Sequence, residues 1–136
     1  MPAILTPYLM FDGGTARDAM TFYQSVFGGD LQIMSYADMG GMGLPEEVQQ
    51  QVMHAALTAG DGVCFMASDL AHEPTEHPNS PVALSGDDET VLTGWWTALC
   101  EGGTVDVPLE KAPWGDSFGQ VKDRFGITWM VNISGS

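Results

Sequence analysis

The chain has 136 residues, 44% of them hydrophobic, which suits one folded domain and not a disordered chain. Its 4 Lys and Arg stand against 18 Asp and Glu, a net charge of −14 that repels phosphate backbones and anionic lipid, so neither nucleic acid nor a membrane surface is an expected partner. No apolar run approaches the ~20 residues that span a bilayer. The opening segment lacks the basic flank of a signal peptide, and a cytoplasmic protein is expected.

In chain order, the pattern predicts a strand over 4–11 and then a helix over 15–27. In that helix Ala16, Ala19, Met20, Tyr23, Val26 and Phe27 recur at helical spacing. A strand over 30–36 follows, then a Gly-rich loop over 37–45 and strands over 52–59 and 63–69. Segment 70–79 carries Pro74 and Pro78 and reads as a linker; its His72 and His77 lie among Glu73 and Glu76, as a solvated loop or a weak cation cluster. The second half predicts a strand over 81–85 and a helix over 88–101, with Val91, Leu92, Trp95, Trp96 and Leu99 on one face. Asp87 and Asp88 supply its N-cap and a negative first turn. Strands over 104–109, 118–123 and 127–133 complete the chain. Both helices stop at a Gly-Gly pair, where a left-handed C-cap is expected. Cys64 and Cys100 lie far apart in apolar segments, outside any metal-type spacing, and read as free thiols.

This order is a duplication. Residues 7–33 lie over 81–107 without a gap, with Pro7 on Pro81, Phe22 on Trp96 and Gly28-Gly29 on Gly102-Gly103. Residues 62–68 lie over 126–132, with Gly62 on Gly126, Phe65 on Trp129 and Met66 on Met130. The first copy is longer, mostly by its Gly-rich loop. Each copy reads βαβββ, so the expected fold is α+β: one domain over 1–136, with modules over about 1–70 and 80–136. Pairing the modules hides an open apolar face and a sheet edge on each.

The run 8–29, from Tyr8-Leu9-Met10-Phe11 to Gly28-Gly29, resembles the opening of PhnB-like proteins of the glyoxalase/bleomycin-resistance/dioxygenase (vicinal oxygen chelate) superfamily. So do His54-Ala55-Ala56-Leu57, Trp114-Gly115-Asp116-Ser117-Phe118-Gly119 and the run 123–132. The resemblance implies a glyoxalase-like fold of cupped mixed sheets, often a homodimer, with a cavity for a small molecule. PhnB-like chains often carry a demethylubiquinone methyltransferase label. The sequence lacks the G-x-G-x-x-G and downstream acid of a dinucleotide-type fingerprint, and so does not support it.

Active members of the superfamily place His and Glu metal ligands on the first and last strand of each module. The resemblance puts those positions at Thr6, Ser68, Ser80 and Asn132, hydroxyls and a carboxamide that are weak partners for a divalent ion. No metal and no other cofactor is expected. Alternation puts Thr6, Tyr8 and Met10 on one cavity-facing surface, with Cys64, Met66 and Ser68, and Thr128, Met130 and Asn132 on its counterparts. Leu5, Leu9 and Phe11, and Ile127, Trp129 and Val131, should meet the helices. That cavity is either a site for a partly apolar small molecule or a filled core. His54, the one histidine in a predicted strand, is a general base or polar handle, or a histidine satisfied by its neighbours. Trp114 walls the cavity mouth or packs at a core or dimer contact. Asp69 and Asp123 read as turn formers bonded to backbone. Three functions remain open: a non-metal binding protein, a divalent-metal enzyme of glyoxalase, isomerase or dioxygenase type, and a structural module without ligand.

Overall fold

The computed structural model describes residues 5–11, 14–40, 43, 46–60, 62–69 and 79–135. Most of the expected linker, with His72 and His77, lies outside the described residues. The chain divides into two compact units, Met1–Asn79 and Ser80–Ser136.

The first unit contains β1 (Tyr8–Phe11), α1 (Ala16–Phe27), β2 (Asp30–Ser35), a short helix α2 (Glu46–Gln49), β3 (Val52–Ala59) and β4 (Val63–Asp69). Its sheet runs β1-β4-β3-β2, with β1 parallel to β4 and the other pairs antiparallel. The parallel pair closes a crossover that α1 makes possible. Ala16, Ala19, Met20 and Tyr23 fall at i, i+3, i+4 and i+7, and all four are fully buried. They cover the sheet face formed by Leu9, Phe11, Ala55, Leu57, Phe65 and Ala67. The rings of Tyr23 and Phe27 meet Phe65 edge-on, with centroids 5.6 and 5.9 Å away.

The second unit repeats this order: β5 (Val82–Gly86), α3 (Glu89–Cys100), β6 (Thr104–Lys111), β7 (Ser117–Lys122) and β8 (Thr128–Ile133). The sheet order is β5-β8-β7-β6, again with a parallel first and last strand. Leu92 of α3 packs on Val131 and Ile133, with Leu84, Trp95, Trp96 and Leu109 around them. Gly119 makes room for the Trp96 ring, since a Cβ there would stand 2.8 Å from it.

The two copies also share a close approach. A Cβ on Gly29 would lie 2.2 Å from the Thr58 carbonyl oxygen, and one on Gly103 would lie 2.5 Å from that of Lys122. The Gly-Gly pairs therefore let the strand after each helix sit against the neighbouring strand, besides ending the helix.

Three expectations need correction. Leu5 is 97% exposed, because the paired part of β1 begins at Tyr8 and the alternation does not reach back to it. Val91 is exposed, because α3 rests on the sheet through Leu92 and Leu99. The Gly-rich loop is not wholly irregular: a 3₁₀ turn occupies Ala37–Met39, held by reciprocal bonds between Ser35 and Asp38.

Asp69, read in the sequence as a turn former, bonds backbone that is distant in sequence. One carboxylate oxygen accepts the Ala16 N–H at the start of α1, and the other accepts the Val52 N–H at the start of β3, both at 2.8 Å. Thr15, the N-cap residue, makes no side-chain capping bond to α1, so the cap comes from the end of β4. In the second unit the cap is local, as Asp88 accepts the Val91 N–H at 3.1 Å. Asp123 does form a turn: it accepts from Phe125 N, Ile127 N and the Trp129 indole N–H.

Candidate functional site

With one face of the first sheet under α1, its other face is open. Pairing fixes what that face carries. Tyr8, Met66, Ala56 and Gln32 form one cross-strand row, and Met10 with Ser68 lies in the next. His54 falls beside Ser68 and directly opposite Met34. Tyr8 and Met34 are 45% and 40% exposed, while Ser68 is 5% exposed. This is a thioether-rich surface with a few polar groups set into it.

Tyr8 and His54 lie on strands separated by β4, yet their side chains meet above it. The phenol oxygen and His54 Nδ1 are 3.5 Å apart, a long hydrogen bond, and the ring centroids are 6.0 Å apart. The Ser68 hydroxyl donates to Met10 Sδ at 3.8 Å. Asn79 grips the backbone of Met10, accepting its N–H at 2.7 Å and donating to its carbonyl at 2.8 Å. Its carboxamide thus supplies one rung of strand pairing along β1.

Tyr36 belongs to the same neighbourhood, and sequence reasoning missed it. Its hydroxyl donates to the Asp69 carbonyl at 3.1 Å. Burial, then the Asp69 carboxylate, then Tyr8 raise its pKa above the ordinary tyrosine value. Tyr36 ends a predicted strand that leads into a Gly-rich loop, and that pattern does not reveal a phenol turned back toward β4.

Of the predicted site residues, Tyr8, Met10, His54, Met66 and Ser68 come together on this face. Thr6 is half-buried just ahead of β1. In the second unit Met130 and Asn132 lie on the open face of the other sheet, in rows with Ala83 and Gln120 and with Ser85 and Phe118. The Asn132 amide donates to Asp116 at 3.1 Å, and Asp116 also accepts the Gly135 N–H. The Gly135 bond first, then Asn132, hold the Asp116 carboxyl below its usual range. Ser80 is exposed and precedes β5. Trp114 is 69% exposed in the turn between β6 and β7.

The strand register also corrects the equivalence of Thr6 with Ser80. Met10 pairs with Ser68 and Ser85 pairs with Asn132, so the first strand of the second copy is shifted one residue further than the gapless overlay assumes. By that register Thr6 matches Pro81. The overlay holds at the Gly-Gly pairs and slips in the strand before them.

A polar cleft of about 230 Å³ lies in the second unit, lined by Asp87, Glu89, Lys111, Ser117, Ser134 and Gly135 among others. It contains none of the predicted ligand residues. Asp87 and Glu89 read in the sequence as a helix start, and nothing in their spacing links them to Lys111.

The donor set on these faces does not suit a hard or borderline divalent ion. Among the described residues no group of three or more His, Cys, Asp or Glu side chains gathers as a metal site. The buried carboxylates of Asp69 and Asp123 already accept N–H groups. The open face of the first sheet offers one imidazole, thioethers, hydroxyls and the Cys64 thiol, and Asp30, its carboxylate among the described residues, stands at the start of β2, four residues from Met34 and away from His54. Among the described residues no helix is long and apolar enough to cross a membrane.

Known proteins agree with this architecture. Protein PA1353 from Pseudomonas aeruginosa is 33% identical, with a TM-score of 0.84 over 99% of this chain and 100% of its own. A Bacillus cereus PhnB protein, described as a putative 3-demethylubiquinone-9 3-methyltransferase, is 27% identical, with a TM-score of 0.73 over 97% of this chain and 100% of its own. A glyoxalase/bleomycin resistance protein/dioxygenase family enzyme from Burkholderia phytofirmans shares the fold at 15% identity, with a TM-score of 0.58 over 93% and 96% of the two chains. Residues 3–132 match the family described as 3-demethylubiquinone-9 3-methyltransferase. The match over 3–132 places the chain in that family, and its duplicated βαβββ unit is the fold that it shares with the PhnB protein and with the glyoxalase/bleomycin resistance protein/dioxygenase family enzyme.

Proposed function

We propose that this protein binds a small, partly apolar organic molecule on the open face of its first sheet and works without the superfamily's usual divalent-metal centre. The observation that carries this reading is the Tyr8–His54 pair set among Met10, Met34 and Met66. Thioethers adapt to flat or irregular apolar surfaces, and the phenol and imidazole fix orientation by hydrogen bonding. His54 serves as a polar handle in this reading. A methyltransferase activity gains no support, since the only warrant for it is a family description.

A thermal-shift screen against metabolites and aromatic antibiotics tests the reading. A molecule that binds only the folded state raises the melting temperature with concentration. Hits should weaken in Tyr8→Phe and His54→Gln. A full library without hits, or hits indifferent to both variants, would sink the proposal. The working form is proposed to be a homodimer, in keeping with the superfamily.

A further inference from the structure

We propose that the open face of the first sheet also binds a soft monovalent metal ion, copper(I) in its chemistry, through the imidazole of His54 and the thioethers of Met34 and Met66. This goes beyond the organic-ligand reading and does not depend on it.

Strand pairing supplies the geometry. Met34 stands directly opposite His54, and Met66 stands opposite Ala56, two residues along β3 on the same face. His54 therefore faces Met34 directly on β2 and has Met66 on the diagonal on β4, next to Ser68 and in the strand that Tyr8 reaches over. Directly opposed Cβ atoms in a sheet are about 5 Å apart and diagonal neighbours about 7–8 Å. An unbranched thioether spans either gap. Met34 remains 40% exposed. The third methionine, Met10, differs in that its sulfur accepts from Ser68.

The imidazole is arranged as a ligand. In the tautomer whose Nδ1–H donates to the Tyr8 oxygen, the free lone pair lies on Nε2, which makes no hydrogen bond among the described residues. An outer hydrogen bond of this kind sets the tautomer of metal-binding histidines. Tyr8 is then a positioning residue and not a ligand. Neutral imidazole with two thioethers is a donor set that copper(I) or silver(I) favours and that zinc, magnesium and calcium do not. A chain of net charge −14 also draws cations toward its surface.

Silver(I) is the probe, because it matches copper(I) in softness and undergoes no redox step here. The two cysteines are removed first, as Cys64→Ser with Cys100→Ser, because Cys64 shares this face and thiols compete for the ion. The protein, labelled at the methyl groups of its nine methionines, is titrated and followed by NMR and calorimetry. The expected result is one equivalent bound, with the Met34 and Met66 methyl signals moving most. Affinity should fall at least about 100-fold in Met34→Leu with Met66→Leu. Zinc at the same concentration should leave those signals in place. Shifts spread evenly over all nine methionines overturn the proposal, and so does silver affinity unchanged in the double leucine variant. If that variant does not fold, the methyl shifts of the methionine-intact protein decide alone. The thermal-shift screen uses no silver, so the two readings fail separately.

Discussion

Asp69 shows how one buried side chain can join elements distant in sequence. It accepts from Ala16 and Val52 and is 1% exposed, so removing it strands two buried N–H groups. Asp69→Ala should cost about 3 kcal/mol in urea unfolding, the worth of two charge-assisted bonds discounted for partial rehydration. Tyr36, bonded to the Asp69 carbonyl, gives a pH signature. Its pKa is raised by burial first, so its contribution is complete below the ordinary tyrosine value of 10.0 and is lost as pH rises through the higher folded value. Stability of the wild type should therefore fall more steeply on the alkaline side of pH 10 than that of Tyr36→Phe, measured by unfolding curves in alkaline buffers. Equal slopes would remove Tyr36 from this account.

Helices and strands were the most legible level of the sequence. The periodicity of Ala16, Ala19, Met20 and Tyr23 gave α1 its buried face, and 52–59 and 63–69 match β3 and β4 residue for residue. The site was legible only where alternation governs it, which is why Tyr8, Met10, Met66 and Ser68 share a face. Contacts made across an intervening strand, such as Tyr8 with His54, have no signature in spacing. Neither does the one-residue slip of β5, since a gapless overlay cannot show a shift confined to one strand. The Gly-Gly pairs were read as caps, but their second glycine is set by close backbone approach. Gly29→Ala should consequently destabilise by about 2 kcal/mol or more, through overpacking and a left-handed φ of 87°. Asp88→Ala, which loses a local cap, should cost about 1 kcal/mol. A larger loss from the cap than from the glycine would reverse this ranking.

The acidity of the whole chain bears on its proposed pairing. Two copies of charge −14 repel, and salt screens that repulsion within a Debye length of about 8 Å at physiological ionic strength. Light scattering should therefore show the mass moving from 14.6 kDa toward twice that value as salt is added at fixed protein concentration. A monomer at every salt concentration would remove the dimer. The duplicated units also differ in how far each helix must look for its cap. α3 is capped by its own Asp88, whereas α1 waits for Asp69, 53 residues away in sequence. Closing a long loop is slower than closing a turn. In pulsed hydrogen exchange during refolding, the amides of α3 should gain protection before those of α1, so two copies of one architecture would fold on separate clocks.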